Sequence, residues 1–234
     1  TDVTLTASAS DTATGGSTIA AIEYNMDAGS FVPMAPTDGS FDSPSEAATA
    51  ALGPFASAGV HNICARATDT AGNVGAEVCT LVAVYDPSAG FITGGGWIDS
   101  PLGAYAGDPL LEGKANFGFV SKYKKGATTP DGQTQFQFHA AGFTFHSTSY
   151  AWLVISGPKA QYKGAGTVNG SGDYGFLLTA NDGQVSGGGG IDKFRLKVWD
   201  KATNTVVYDN QLGATDDADA TDAIEGGSIV IHTK

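Results

Sequence analysis

An all-β fold is expected for this chain: one β-sandwich followed by a larger antiparallel β-sandwich or flattened barrel. Three observations predict it. Apolar and polar residues alternate with a period of two throughout, most cleanly in Asp192–Asp200, where Phe194, Leu196 and Val198 point one way and Lys193, Arg195 and Lys197 the other. No amphipathic run of helical period exceeds about three turns. With 33 glycines and 9 prolines in 234 residues, turn formers punctuate the apolar runs at the spacing of short strands. A hydrophobic content of 41% against 15% charged suits ordered cores, and no run approaches the roughly 18 apolar residues of a membrane-spanning helix. Thr1 opens without a secretory-leader pattern, as a mature or excised fragment would.

The first strand is expected over Thr1–Ser10, where Val3, Leu5 and Ala7 alternate with polar residues. Ile19–Met26 forms a second, turns at Asp27-Ala28-Gly29 and returns through Phe31 and Val32, a hairpin signal. Glu46–Leu52, Val60–Ala67 and Glu77–Val84 supply further strands at the spacing of a sandwich. The last two are joined by Thr70-Ala71-Gly72-Asn73. With Ala71 and Gly72 at the tip, Cys64 faces Cys79, and Arg66 faces Glu77 as an opposite-charge pair. That register predicts a Cys64–Cys79 disulfide and an oxidising compartment; two free, buried cysteines are the competing reading. Two cysteines without a nearby histidine pair are too few for a zinc site.

Charge is uneven. Residues 1–86 hold ten acids against Arg66 alone, a net of −9, and residues 87–234 hold fourteen acids against eleven bases, a net of −3. A chain this acidic repels phosphate backbones and anionic lipid, so neither a nucleic-acid partner nor membrane insertion is expected.

Gly53-Pro54-Phe55, Ala58-Gly59-Val60-His61 and the run Arg66-Ala67-Thr68-Asp69-Thr70-Ala71-Gly72-Asn73-Val74 resemble the bacterial Ig-like repeats of large surface proteins. The resemblance covers residues 1–86 and implies an Ig/fibronectin type III-like sandwich acting as a spacer or adhesive module. By that comparison the usual first strand is missing, since the chain starts at what resembles the second.

Asp86-Pro87-Ser88-Ala89-Gly90 marks the domain boundary, because the proline stops the preceding strand and Phe91 restarts the apolar pattern. In residues 87–234, strands are expected at Phe91–Ile98, Ala115–Tyr123, Thr134–His139, Phe143–Ser147, Ala151–Ser156, Ala160–Val168, Tyr174–Ala180, Lys193–Trp199, Thr205–Tyr208 and Ser228–His232. Glycine-rich turns such as Asn169-Gly170-Ser171-Gly172 and Gly187-Gly188-Gly189-Gly190 separate them. Gly94-Gly95-Gly96-Trp97-Ile98, Lys114-Ala115-Asn116-Phe117-Gly118-Phe119, Asp192-Lys193-Phe194-Arg195, Val198-Trp199-Asp200, Val207-Tyr208-Asp209-Asn210 and Gly227-Ser228-Ile229-Val230-Ile231-His232 resemble the post-COAP type module at the C-termini of large secreted bacterial proteins. That resemblance implies a non-catalytic terminal module and carries no ligand with it.

Candidate sites are few. His61, His139, His146 and His232 lie on different strands without metal-ligand spacing, and no nucleophile motif occurs, so no catalytic residue is assigned. Asp217, Asp219 and Asp222 crowd the run Thr215–Asp222, which calcium or solvent must relieve; the twelve-residue order of an EF-hand is lacking. Asp69 and Asn73 suit calcium at a domain end or simple turn capping. Lys193, Arg195, Lys197 and Trp199 form a basic, aromatic-ended stripe for a ligand or partner, with Tyr162 and Tyr174 extending it as a platform for sugar rings. The competing reading of that stripe is the wet face of an edge strand defended by lysines. Asn169-Gly170-Ser171 matches a glycosylation sequon.

The function expected is a non-catalytic extracellular module on the bacterial cell surface. Its role is structural or adhesive, with head-to-tail self-association into a filament or contact with other surface proteins. A carbohydrate-binding accessory module for polysaccharide is the alternative.

Overall fold

The computed structural model describes residues 3–233, whose regular structure is antiparallel β apart from one 3-10 turn at His139–Ala141. No helix among the described residues is long and apolar enough to cross a membrane. The chain divides into two compact units, Thr1–Val84 and Tyr85–Lys234.

The first unit contains β1 (Val3–Ser10), β2 (Ile19–Met26), β3 (Val32–Pro33), β4 (Ala35–Pro36), β5 (Ser45–Leu52), β6 (Gly59–Asp69) and β7 (Val78–Val84). Thr1 and Asp2 of the expected first strand lie outside the described residues. Two sheets, ordered β1-β5-β4 and β3-β2-β6-β7, enclose a small core of Ile19, Ile22, Met34 and Ala48. On one side the chain itself closes the sandwich. It passes from β3 to β4 through Met34, whose N–H donates to the Ile22 carbonyl at 2.9 Å. On the other side β1 and β7 end their sheets with one neighbour each, and the inward residues Leu5, Ala7 and Ala9 stay only half-buried.

Cys64 and Cys79 oppose each other in the β6–β7 ladder and are joined, with an S–S distance of 2.06 Å. The expected Arg66–Glu77 pair does not form. The ladder stops at Ala65 opposite Val78, leaving Glu77 outside β7, while Arg66 faces Glu23 of β2 at 3.4 Å and places its guanidinium 3.6 Å over the Phe31 ring. A face of π electrons and a cross-strand carboxylate offer this arginine more than an exposed glutamate beyond the ladder. At the hairpin tip Gly72 takes φ +87, a backbone state comfortable only for glycine. The Asp69 carboxylate accepts both the backbone N–H and the side-chain amide of Asn73 at 2.8 Å, and these bonds hold it below the usual carboxylate range. Turn capping is therefore what Asp69 and Asn73 do.

The second unit contains β8 (Gly90–Ser100), β9 (Gly113–Tyr123), β10 (Pro130–Phe138), β11 (Phe143–Ser156), β12 (Lys159–Val168), β13 (Ser171–Asn181), β14 (Lys193–Asp200), β15 (Val206–Asp209) and β16 (Gly226–Thr233). They form one nine-stranded sheet ordered β15-β14-β13-β12-β11-β10-β9-β8-β16. The two strands expected within residues 143–156 are one, β11, bent by register shifts at Ser147/Ser149 and Tyr150/Trp152. Such bulges turn a strand without ending it, so a break in the alternation is not a break in the strand.

This sheet curls on itself around an aromatic interior. Phe194 on β14 stacks on Phe117 on β9 at 4.1 Å, although four strands lie between them in the sheet. Phe136 and Tyr208 add a contact at 4.7 Å. Curling brings the two edges into reach of partners outside the ladder. Along β15, Ala106 N–H donates to Val207 O at 3.1 Å and Asp209 N–H to Ala104 O at 2.9 Å. Along β16, Ile229 N–H donates to the Asp192 carboxylate at 2.7 Å and Ile231 N–H to the Asp182 carboxylate at 2.8 Å. Buried backbone groups must be paired, and carboxylates here do what a tenth strand would.

Burial pushes several phenols upward: Tyr123 to about 12, with Tyr150, Tyr162 and Tyr208 also above the ordinary tyrosine range. A raised phenol favours the folded state up to the unfolded value near 10 and loses that advantage as pH climbs through the folded value. The second unit should therefore unfold in alkali between these limits. Phenolate absorbance and circular dichroism should change together, and free titration of all eight tyrosines in the folded chain would contradict this.

For the first unit, reductant should add two hydrogens to the intact mass. It should also lower that unit's stability by about 3 kcal/mol in the chain-entropy model, as read by urea unfolding with and without reductant.

Candidate functional site

The stripe Lys193, Arg195, Lys197 lies on the outer face of the curled sheet, opposite the side where Phe194, Leu196 and Val198 enter the core. It is not open. Arg195 is 1% exposed, and the segment between β15 and β16 crosses over it as a strap. The guanidinium donates through Nε and Nη2 to the two carboxylate oxygens of Asp209 at 3.1 and 2.9 Å, through Nη1 to Thr215 O at 2.7 Å and through Nη2 to Ala214 O at 3.1 Å. Lys197 pairs with Asp216 and Lys159 with Asp219, while Gln161 donates its amide to the Asp216 carbonyl. Lys193 is half-buried beside Ala223, to which it is bridged. β14 is thus neither an edge strand nor a free basic face. It sits second in the sheet, paired with β13 and β15, and its outer residues are covered.

The acids expected to gather around calcium are drawn apart by the same strap. The Asp219 carboxylate goes to Lys159 at 2.9 Å and that of Asp222 accepts the Asn210 amide at 2.7 Å, while Asp217 gives its backbone carbonyl to Lys159. Among the described residues, the three-residue group of potential metal ligands within 4.8 Å is Cys64, Glu77 and Cys79, whose sulfurs are spent on the disulfide. Crowding in sequence did not become a three-carboxylate cluster in space, because Lys197, Lys159 and Asn210 take the carboxylates of Asp216, Asp219 and Asp222 one at a time, while the buried Asp217 Oδ1 has no hydrogen-bond partner among the described residues.

The sugar platform is likewise dispersed. Tyr162 is fully buried and hydrogen-bonds Thr134 at 2.9 Å. Trp199 lies against Gly175, where a Cβ would come within 2.3 Å of the indole, and Lys163 sits 5.5 Å from its ring centroid. Tyr174 is half-buried against the core. Of the histidines, His61 contacts Asp27 at 2.8 Å and His232 stacks on Phe91 at 4.2 Å. Asn169 is exposed on the turn after β12, with its Oδ1 accepting the Thr144 N–H at 2.9 Å.

What the alternation did not reveal is a groove of about 780 Å³ in the first unit. It opens between the unpaired edges of β1 and β7, with Leu5, Ala7, Ile22 and Ile63 among its lining residues and Val74 and Val78 on its rim. Val74 is 58% and Val78 75% exposed, high values for valines flanking a core. The expectation that pointed to it came from the Ig-like resemblance, which implied an open edge beside the first strand. Asp209 was also missed as a partner of Arg195; the opposite signs of the stripe and the nearby acidic run could have suggested it.

No protein-family model, curated protein or solved structure matches the chain.

Replacing Asp209 with leucine strands the buried guanidinium and should cost about 3–5 kcal/mol of stability. Replacing Asp219, whose side chain is 83% exposed, with asparagine should cost under about 1 kcal/mol. Urea unfolding of the second unit checks both. Melting curves in calcium and in chelator should superimpose.

Proposed function

We propose that this chain is a non-catalytic module of an extracellular bacterial surface protein, with a structural or adhesive role exercised through protein contacts. The observation that carries this reading is the contrast between its two units. In the second, the charged and polar groups singled out by sequence are absorbed into the strap and the sheet closure. In the first, two strand edges and an apolar groove stand unfilled. Exposed edges of that kind are usually blunted unless they meet another chain. The disulfide suits an oxidising, extracytoplasmic setting, and the strong acidity of residues 1–86 suits a solvated surface.

Head-to-tail assembly driven by the Lys193, Arg195, Lys197 stripe is set aside, since Arg195 and Lys197 are engaged within their own unit and Lys193 is half-buried. Against the carbohydrate alternative, Tyr162 is buried and so does not extend a stacking surface beside Trp199.

Beads coated with the purified chain should retain cells of the bacterium that makes it. Protease treatment of the cells should abolish retention, and periodate oxidation of their glycans should not. Retention that survives protease but not periodate would transfer the function to carbohydrate binding, and absence of retention would overturn the adhesive role.

A further inference from the structure

We infer that the groove between β1 and β7 is a strand-acceptor site, which takes one extended polypeptide segment of a partner protein, with small apolar side chains at alternate positions and a neutral or basic net charge. This deepens the adhesive reading and rests on it for the identity of the partner's source. Three observations converge on it.

First, β1 pairs only with β5 over Val3–Ser10 and β7 only with β6, so a row of backbone groups faces the opening on each side. An incoming strand can continue either ladder by main-chain hydrogen bonds, which a helix or a small molecule cannot. Second, burial along β1 alternates, with Leu5, Ala7 and Ala9 half-buried rather than buried. They face the core as inward residues of a sandwich should, but nothing among the described residues covers their outer flank. The buried cluster of this unit holds four residues against twenty-three in the second, as expected of a sandwich with one flank uncovered. Alternate small apolar side chains from an added strand would cover that flank while their neighbours face water.

Third, residues 1–84 carry nine acids and one base, so an acidic segment is repelled and a lysine-flanked one favoured. A second copy of the chain does not supply the guest from its described residues. Its strands are already paired, and the strap is fastened through Arg195, Lys197 and Lys159.

The test uses the full chain and a labelled peptide, Lys-Thr-Val-Thr-Val-Thr-Val-Lys, followed by fluorescence anisotropy and by hydrogen exchange. Saturable binding is expected, with new protection of amides in β1 or β7 and nowhere in the second unit. The same peptide N-methylated at every threonine and valine should lose binding, because its side chains remain but the ladder donors are gone. Val78→Lys, placed on the exposed rim where folding is undisturbed, and Ala7→Arg, placed on the wall, should each weaken binding about tenfold or more by setting charge in an apolar contact. Absence of saturable binding, protection mapping elsewhere, or undiminished binding of the N-methylated peptide would overturn the inference. So would concentration-dependent dimerisation that protects the same amides, since the groove would then belong to a second copy. Failure here with protease-sensitive cell retention intact leaves the adhesive role standing without this groove. Peptide binding with no cell retention leaves the groove standing and removes the adhesive role.

Discussion

A buried guanidinium has few places to go. Arg195 sits on the outer face of β14 with only 1% of its surface exposed, and a cation so placed is stable only when its donors are matched in charge and geometry. Asp209 on the neighbouring strand supplies the charge as a two-pronged acceptor, and the carbonyls of Ala214 and Thr215 accept the remaining bonds described. Those carbonyls belong to the strap, so satisfying the arginine fixes the strap's path. The strap's path in turn buries Gln161 and Thr179, which hydrogen-bond each other at 2.9 Å on the outer face. Strands β12 to β14 are thereby covered on both sides, one by aromatic packing and the other by polar fastening.

The two units answer the problem of strand edges in opposite ways. The second closes a single sheet and meets its leftover backbone groups with the Ala104–Ala106 segment on one edge and with Asp182 and Asp192 on the other. Its interior is large and aromatic, as the area bookkeeping of apolar burial rewards. The first closes one flank by passing the chain through Met34 and leaves the opposite flank open. Its core is correspondingly small, and the Cys64–Cys79 bond fastens β7, an edge strand with no fully buried residue. A covalent tie of this sort compensates where apolar burial is thin.

Much of the architecture was legible in the residues. Period-two alternation located the strands to within a few residues, and the turn at Ala71-Gly72 set the register that placed Cys64 opposite Cys79. The same register argument misled for Arg66, because opposition on paper says nothing of where a ladder ends or of a third strand such as β2 with a better partner. Alternation also cannot tell a wet face from one covered by a distant segment. Lys193, Arg195 and Lys197 read as solvent-facing because nothing local to β14 reveals that residues beyond β15 fold back over it. For the same reason Asp217, Asp219 and Asp222 read as a cluster, although they are neighbours only along the chain. Alternation alone did not disclose the groove, because it gives the two faces of a strand and not the neighbours that its edges have.

The pairing of β16 with β8 has a temporal side. During synthesis β8 leaves the ribosome first among the strands of its unit and β16 last, yet the two lie side by side in the finished sheet. Contacts between distant parts of a chain form slowly, and an edge that waits is open to the wrong neighbours. Gly94-Gly95-Gly96 on β8 meets a counterpart strand beginning Gly226-Gly227, so the waiting edge carries little apolar surface with which to recruit a stranger. Such a glycine pairing is itself weak in specifying register. The carboxylates of Asp182 and Asp192, positioned by loops made earlier, grip Ile231 and Ile229 of the arriving strand and so act as its registration marks.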